Sequence, residues 1–202
     1  SSHTAGAARI GKVARSLFRR QPQWVDIHLY GSFAKTYKGH GTDVAIIGGI
    51  LDFETDDERI IRAIEIAEAD GMKIRFIEEE AVPDHPNTAK IRMGDDDGEM
   101  EMVGISIGGG KIEIIELNGF VLKLSGQHPA ILVEHTDKFG AIANVATVLA
   151  KHEINIGHME VSRKEMGQRA LMTIEVDQNI EDSILDEIGK LPSILGVTKI
   201  VD

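Results

Sequence analysis

With 202 residues, 42% of them hydrophobic and only 4% aromatic, the chain has apolar material for one medium domain or two small ones with aliphatic cores. Lys and Arg total 22 against 33 Asp and Glu, a net charge of -11, so no global field attracts phosphate backbones or anionic membranes, and nucleic acid is excluded as the expected partner. Zero Cys rules out a disulfide, a thiolate nucleophile and an ordinary iron-sulfur cluster held by this chain itself, while the lack of a signal peptide or a run of about 20 apolar residues makes a cytoplasmic location the default expectation.

The chain opens SSHTAGAAR (1–9) without Met, which is read as the inside of a longer chain. A helix is predicted there with Thr4 as N-cap: Ile10, Val13, Ala14, Leu17 and Phe18 form one apolar stripe, and Arg9, Lys12, Arg15, Arg19 and Arg20 face elsewhere. Pro22 breaks it. WVDIHLYG (24–31) alternates Val25, Ile27 and Leu29 with Asp26, His28 and Tyr30, the period of a half-buried strand. The stretch GSFAKTYKGHGTD (31–43) that follows is rich in Gly and polar groups.

Next come a helix over ERIIRAIEIAEADG (58–71) with a Gly stop and a strand over MKIRFIEE (72–79). GDDDGE (94–99) lacks the Gly position and spacing of a calcium loop and reads as a solvated hairpin turn. EMEMVGISIGGGKIEIIEL (99–117) gives two strands around a triple Gly. Residues 1–124 are therefore expected to form an α+β domain, with GQHP (126–129) as the boundary.

Beyond it, AILVEH (130–135) is a strand, Asp137 a plausible N-cap, and Ile142, Val145, Val148 and Leu149 mark an amphipathic helix. INIGHMEVSR (154–163) and RALMTIEV (169–176) form a hairpin across EMGQ. Ile180, Ile184, Leu185 and Ile188 define a second helix, stopped by Gly189 and Pro192, before a last strand VTKIV (197–201). The order is βαββαβ in about 70 residues, the split βαβ arrangement. On the stretch HTDKFGAIANVATVLAKHEINI (135–156), residues 129–202 resemble an ACT domain, a small amino-acid-sensing module. The resemblance implies that Asp137, Phe139, Gly140 and Asn144 lie where two copies pair and a small ligand sits. Gly140 would let a ligand or partner backbone approach, or would only ease a tight loop in a module that merely dimerises.

Four polar clusters carry candidate chemistry, each with a plainer reading beside it. In SSHT (1–4), Ser and Thr are good helix caps, which accounts for Ser2 or Thr4 but not for His3; exposed N–H groups, a positive dipole end and hydroxyls together suit a carboxylate. In GHGTD (39–43), Thr42 or Asp43 can simply start the following apolar helix; alternatively His40 acts as acid or base, oriented by a neighbouring hydroxyl or carboxylate. HPNT (85–88) marks a turn. SIGGG (106–110) is no phosphate loop, because Ile112 stands where Ser or Thr should follow Lys111. The spacing of His3, His28, His40 and His85 fits no compact zinc motif.

Taken in order, SSHTAGAAR, HLYGSFAKTYKGHGTD, HPNT and SIGGG, with the ACT-like end, resemble over essentially the whole chain the beta chain of the two-subunit, iron-sulfur-dependent bacterial L-serine dehydratases. A further Ser and a Pro that normally precede Ser1 are absent. The resemblance implies an α+β protein with an N-terminal allosteric-substrate-binding-like domain and a C-terminal ferredoxin-like ACT domain. It also implies an alpha subunit that binds a 4Fe-4S cluster and completes a heterodimeric enzyme turning L-serine into pyruvate and ammonia, with no metal on this chain. His40 would transfer the proton, oriented by Thr42 and Asp43, and Ser1, Ser2, His3 and Thr4 would hold the serine carboxylate or hydroxyl. The ACT end would self-associate, and the isolated chain would be inactive. Two rivals are a purely regulatory amino-acid-binding subunit and a dimerisation scaffold.

Overall fold

The computed structural model describes residues 2–200, with side chains from Thr4 onward. Two compact units divide the chain, the first ending at Gly119 and the second beginning at Phe120. No helix among the described residues is long and apolar enough to cross a membrane.

The first unit runs α1 (Ser2–Phe18), β1 (Trp24–Tyr30), α2 (Gly31–His40), α3 (Thr42–Ile50), a 3-10 turn (Glu58–Arg62), α4 (Ala63–Ala69), β2 (Lys73–Glu78), β3 (Asn87–Asp95), β4 (Gly98–Gly108) and β5 (Lys111–Leu117). Its strands lie in the order β2-β1-β3-β4-β5; β1 and β2 are parallel and the other pairs antiparallel. The alternation of β1 works as expected: Val25, Ile27 and Leu29 are fully buried, and Trp24, Asp26, His28 and Tyr30 are half-buried on the opposite face. Ile10 of α1 packs where Gly104 of β4 leaves room, so the helices cover the Val25 side of the sheet.

Two local expectations change, and a stretch with no predicted element forms one. The Gly-rich stretch 31–40 is helical, because Phe33, Ala34 and Tyr37 bury one face and the Tyr37 ring stacks on Phe76 at 5.5 Å. Gly41, at φ +77°, ends α2 and starts α3. Thr4 is not an N-cap, since α1 already begins at Ser2. The segment 58–71 starts as a 3-10 turn because the Asp57 carboxylate accepts from the Arg59 N–H at 2.9 Å.

The second unit runs β6 (Phe120–Leu124), β7 (Ala130–Thr136), α5 (Ala141–Lys151), β8 (Ile156–Arg163), β9 (Arg169–Val176), α6 (Asp182–Gly189) and β10 (Ile194–Ile200). Four of these strands form an antiparallel sheet ordered β10-β7-β9-β8, the split βαββαβ arrangement. Ile131, Val133, Met172 and Ile174 pack with Val145 and Leu149 of α5 and Ile188 of α6. Across the other face lies β6, with Phe120, Leu122 and Leu124 buried. The Lys123 N–H donates to the Glu160 carboxylate and the Ser125 N–H to Glu175 Oε1 at 3.2 Å. Asp137 does not cap α5. The residue before that helix is Gly140, at φ +89° with no side-chain cap, and the Asp137 carboxylate instead accepts from Arg163 Nη1 at 2.9 Å and the Gly167 N–H at 3.1 Å.

Candidate functional site

Strand register gathers the sequence motifs at one end of the first sheet. Tyr30 at the end of β1 lies opposite Thr88 of β3, which lies opposite Ile105 of β4, so the entry to α2, the HPNT turn and the SIGGG hairpin share that edge. On the helix-facing side, alternation from Ala89 and Gly104 puts Asn87 and Ser106 at this end. Gly31, at φ +57°, is needed where it stands: a side chain would meet the Pro86 backbone, with a Cβ 2.9 Å from Pro86 Cα. That approach lets the Ser32 N–H donate to the Pro86 carbonyl at 2.7 Å. His85 builds the turn, its Nδ1 accepting from the Asn87 N–H at 3.1 Å and its carbonyl accepting from Thr88 Oγ1 at 2.6 Å.

The helices bring the remaining groups. Thr4 Oγ1 donates to the His40 carbonyl at 3.3 Å, joining α1 to the end of α2 across 36 residues of sequence. The His40 side chain is exposed. Asp43 Oδ1 accepts from the Val44 N–H at 2.8 Å, serving the first turn of α3. Thr42 is fully buried, and its hydroxyl has no hydrogen-bond partner among the described residues, an arrangement with a desolvation cost. Gly6 of α1 comes so close to Ser106 that a Cβ there would overlap the serine side chain, which seats the start of α1 on the SIGGG strand.

Electrostatics at this edge follow from helix direction. Thr4 reaches the His40 carbonyl, two residues before α3 begins, Gly11 lies against Ile46 and Gly49, and Arg15 reaches the Ile50 carbonyl at the end of α3, so the two helices run in broadly the same direction and their positive N-terminal ends lie at the same edge. On the sheet's other face, burial and then the charge of Glu79, helped by Glu101 and opposed by Lys90, push the Tyr30 phenol up and keep it protonated. Among the described residues no group of three His, Cys, Asp or Glu could hold a metal ion. With no Cys in the chain either, these residues do not fit a 4Fe-4S cluster.

The structure thus groups Thr4, His40, Thr42 and Asp43. Ser1 and the side chains of Ser2 and His3 lie outside the described residues. Asn87 and Ser106 join the group although neither motif singled them out, and their signal was the polar motif itself at a strand end. Asp137, Phe139, Gly140 and Asn144 lie in the second unit, on the loop and first turn of α5, with Phe139 and Asn144 exposed and open space beside Gly140.

Two family models match the chain, the serine dehydratase beta chain over residues 1–68 and the ACT domain over 130–193. A probable L-serine dehydratase beta chain of Bacillus subtilis (strain 168) is 72% identical over the whole chain and 92% of that relative. The L-serine dehydratase beta chain of Peptoniphilus asaccharolyticus is 38% identical over 93% of this chain and 86% of the relative. The chain belongs to the L-serine dehydratase beta-chain family. Within this family the edge described above falls mainly in the first matched region, which carries Thr4, His40, Thr42 and Asp43. A D-3-phosphoglycerate dehydrogenase of Bacillus subtilis (strain 168) is 26% identical over 97% of this chain but only 37% of that enzyme, so nearly the whole chain has a counterpart inside a differently named protein.

Proposed function

We propose that this chain completes the active site of an L-serine dehydratase whose 4Fe-4S cluster is carried by an alpha chain, and that it binds L-serine through the edge formed by Thr4, His40, Thr42, Asn87 and Ser106. The observation that carries the reading is the convergence of four polar motifs, from four distant parts of the sequence, on one sheet edge beside two helix N-termini. Ser1, Ser2 and His3 belong to the same motif and share the carboxylate-holding role.

Dehydration breaks the Cα–H and Cβ–O bonds of serine; proton and hydroxide leave as water and 2-aminoacrylate forms. Tautomerisation gives 2-iminopropanoate, and one water hydrolyses this to pyruvate and ammonia. The first step needs a base at Cα and a Lewis acid for the hydroxide. The Lewis acid belongs to the alpha chain. This chain's own contribution is the base: an imidazole takes and returns a proton near neutral pH, and His40 presents one at the exposed end of α2. The paired helix ends and the Thr42 hydroxyl hold the carboxylate, while Thr4 Oγ1, which gives its proton to the His40 carbonyl, is left to accept from the serine hydroxyl. The second unit self-associates through the loop carrying Asp137, Phe139, Gly140 and Asn144, where Phe139 is a fully exposed aromatic side chain.

A second reading, a transferable amino-acid-sensing module, is favoured by the match across 97% of the chain to part of a D-3-phosphoglycerate dehydrogenase. On that reading His40 binds without taking a proton. Anaerobic reconstitution with the alpha chain separates the two. A His40→Ala chain is expected to lose turnover by about 10²- to 10⁴-fold at saturating serine, with serine binding retained; near-normal turnover would overturn the catalytic role.

A further inference from the structure

We infer that the crossing of Gly11 and Gly49 is a positioning device for the substrate site: it presses α1 and α3 together in parallel so that their N-terminal ends act as one carboxylate-holding edge. The inference rests on the substrate-binding reading given above. At the crossing, a Cβ on Gly11 would overlap the Ile46 carbonyl oxygen and come within 3.1 Å of Gly49 Cα. A Cβ on Gly49 would overlap the Ala8 carbonyl oxygen and stand 2.6 Å from the Lys12 backbone nitrogen. These obstacles are backbone atoms, which cannot rotate away, so any side chain pushes the helices apart.

Helix stability does not explain the arrangement. Gly11, in the middle of α1, is about 1 kcal/mol worse than Ala, and parallel helices place like dipole ends together, which an anion at that end offsets. An independent feature points the same way: the buried Thr42 hydroxyl, on the first residue of α3, is left without a partner among the described residues, close in sequence to the His40 carbonyl that Thr4 holds. Further along, Arg15 Nη1 donates to the Ile50 carbonyl at 2.7 Å and Lys12 pairs with Asp52 at 3.4 Å and Glu54 at 3.2 Å, fixing the register.

Gly48 supplies the comparison within the same helix. A Cβ there meets only the Ile60 side chain, with Cγ1 at 2.9 Å, which can move. In the reconstituted two-chain enzyme, Gly49→Ala is expected to raise KM for L-serine by about tenfold or more while kcat falls by less than about threefold, the pattern of lost ground-state binding. Gly48→Ala, equal in helix propensity, should leave KM within about twofold. A Gly49→Ala enzyme with unchanged KM, or equal KM rises in both variants, would overturn the inference. If Gly49→Ala does not assemble, Arg15→Met loosens the same joint without a clash and should raise KM about threefold; an unchanged KM there is equally contrary. The His40→Ala result keeps the two claims apart: loss of turnover in that variant together with an unmoved KM in Gly49→Ala rejects the positioning device alone.

Discussion

Each unit is a sheet of mainly antiparallel strands with helices packed on one face, and each buries a threonine hydroxyl that has no hydrogen-bond partner among the described residues: Thr42 in the first unit and Thr173 in the second. Their surroundings differ. Thr173 sits in the middle of β9, opposite Leu132 of β7 and Glu160 of β8, on the face that β6 covers with Phe120, Leu122 and Leu124. A β-branched residue suits such a strand, and its hydroxyl is tolerated. Thr42 starts a helix and follows a left-handed Gly41, two residues after the His40 carbonyl that accepts from Thr4 of α1. A buried orphan hydroxyl points to a site where a helix start places backbone donors beside it.

Replacing each threonine by valine tests that contrast. Thr42→Val should lower kcat/KM for serine by about 10- to 100-fold, as expected for a lost hydrogen bond to a charged group, while the folded chain gains about 1 kcal/mol from removal of an unsatisfied hydroxyl. Thr173→Val should give a similar gain in stability with activity unchanged. Denaturant melts and steady-state kinetics on both variants read the two effects separately; equal activity in both would erase the distinction between the units.

The second unit exposes the Phe139 ring on the loop before α5. Phe139→Ser is expected to weaken self-association of the chain at least about tenfold by sedimentation at micromolar concentration, since a fully buried Phe contributes about 1.5–3 kcal/mol, with little change in thermal stability because the ring touches solvent in the monomer. A sedimentation profile identical to that of the unaltered chain would remove Phe139 from the interface.

A smaller effect concerns acid. The Arg20 side chain, hydrogen-bonded to Asp95 at 2.9 Å, is the main cause holding that carboxyl at about 2, with the Asp97 and Gly98 N–H groups helping. Asp57 is held at about 2 by the Arg59 side chain and backbone N–H. In the second unit, Arg163 and the Gly167 N–H lower Asp137. Because the folded-state values lie below the unfolded ones, the stability these groups add is complete above about pH 4 and is lost as pH falls toward about 2. Arg20→Met should therefore be less stable than the unaltered chain by a constant margin above about pH 4, shrinking below it. Urea melts across that range that showed a margin growing with acid would contradict the sign.

Much of this was legible in the sequence where one segment carries its own pattern. The alternation of Val25, Ile27 and Leu29, and the apolar runs around Val133, Val145 and Ile174, report burial directly. The α2 helix was hidden because only Phe33, Ala34 and Tyr37 mark its buried face among glycines and polar residues. The true partners of Thr4 and Asp137 were illegible because they stand 36 and 26 residues away, at His40 and Arg163, so tertiary contacts displaced the local capping that sequence suggests. The Gly11 and Gly49 crossing has no local signal, since a helical glycine looks the same in sequence whether or not a backbone lies against it.

The central claim, that this chain supplies part of the serine site, is tested most directly by anaerobic serine dehydration with the alpha chain alone, this chain alone, and both together. Pyruvate is expected to form only with both chains present. An alpha chain that turned over serine by itself with the same kcat and KM would contradict it.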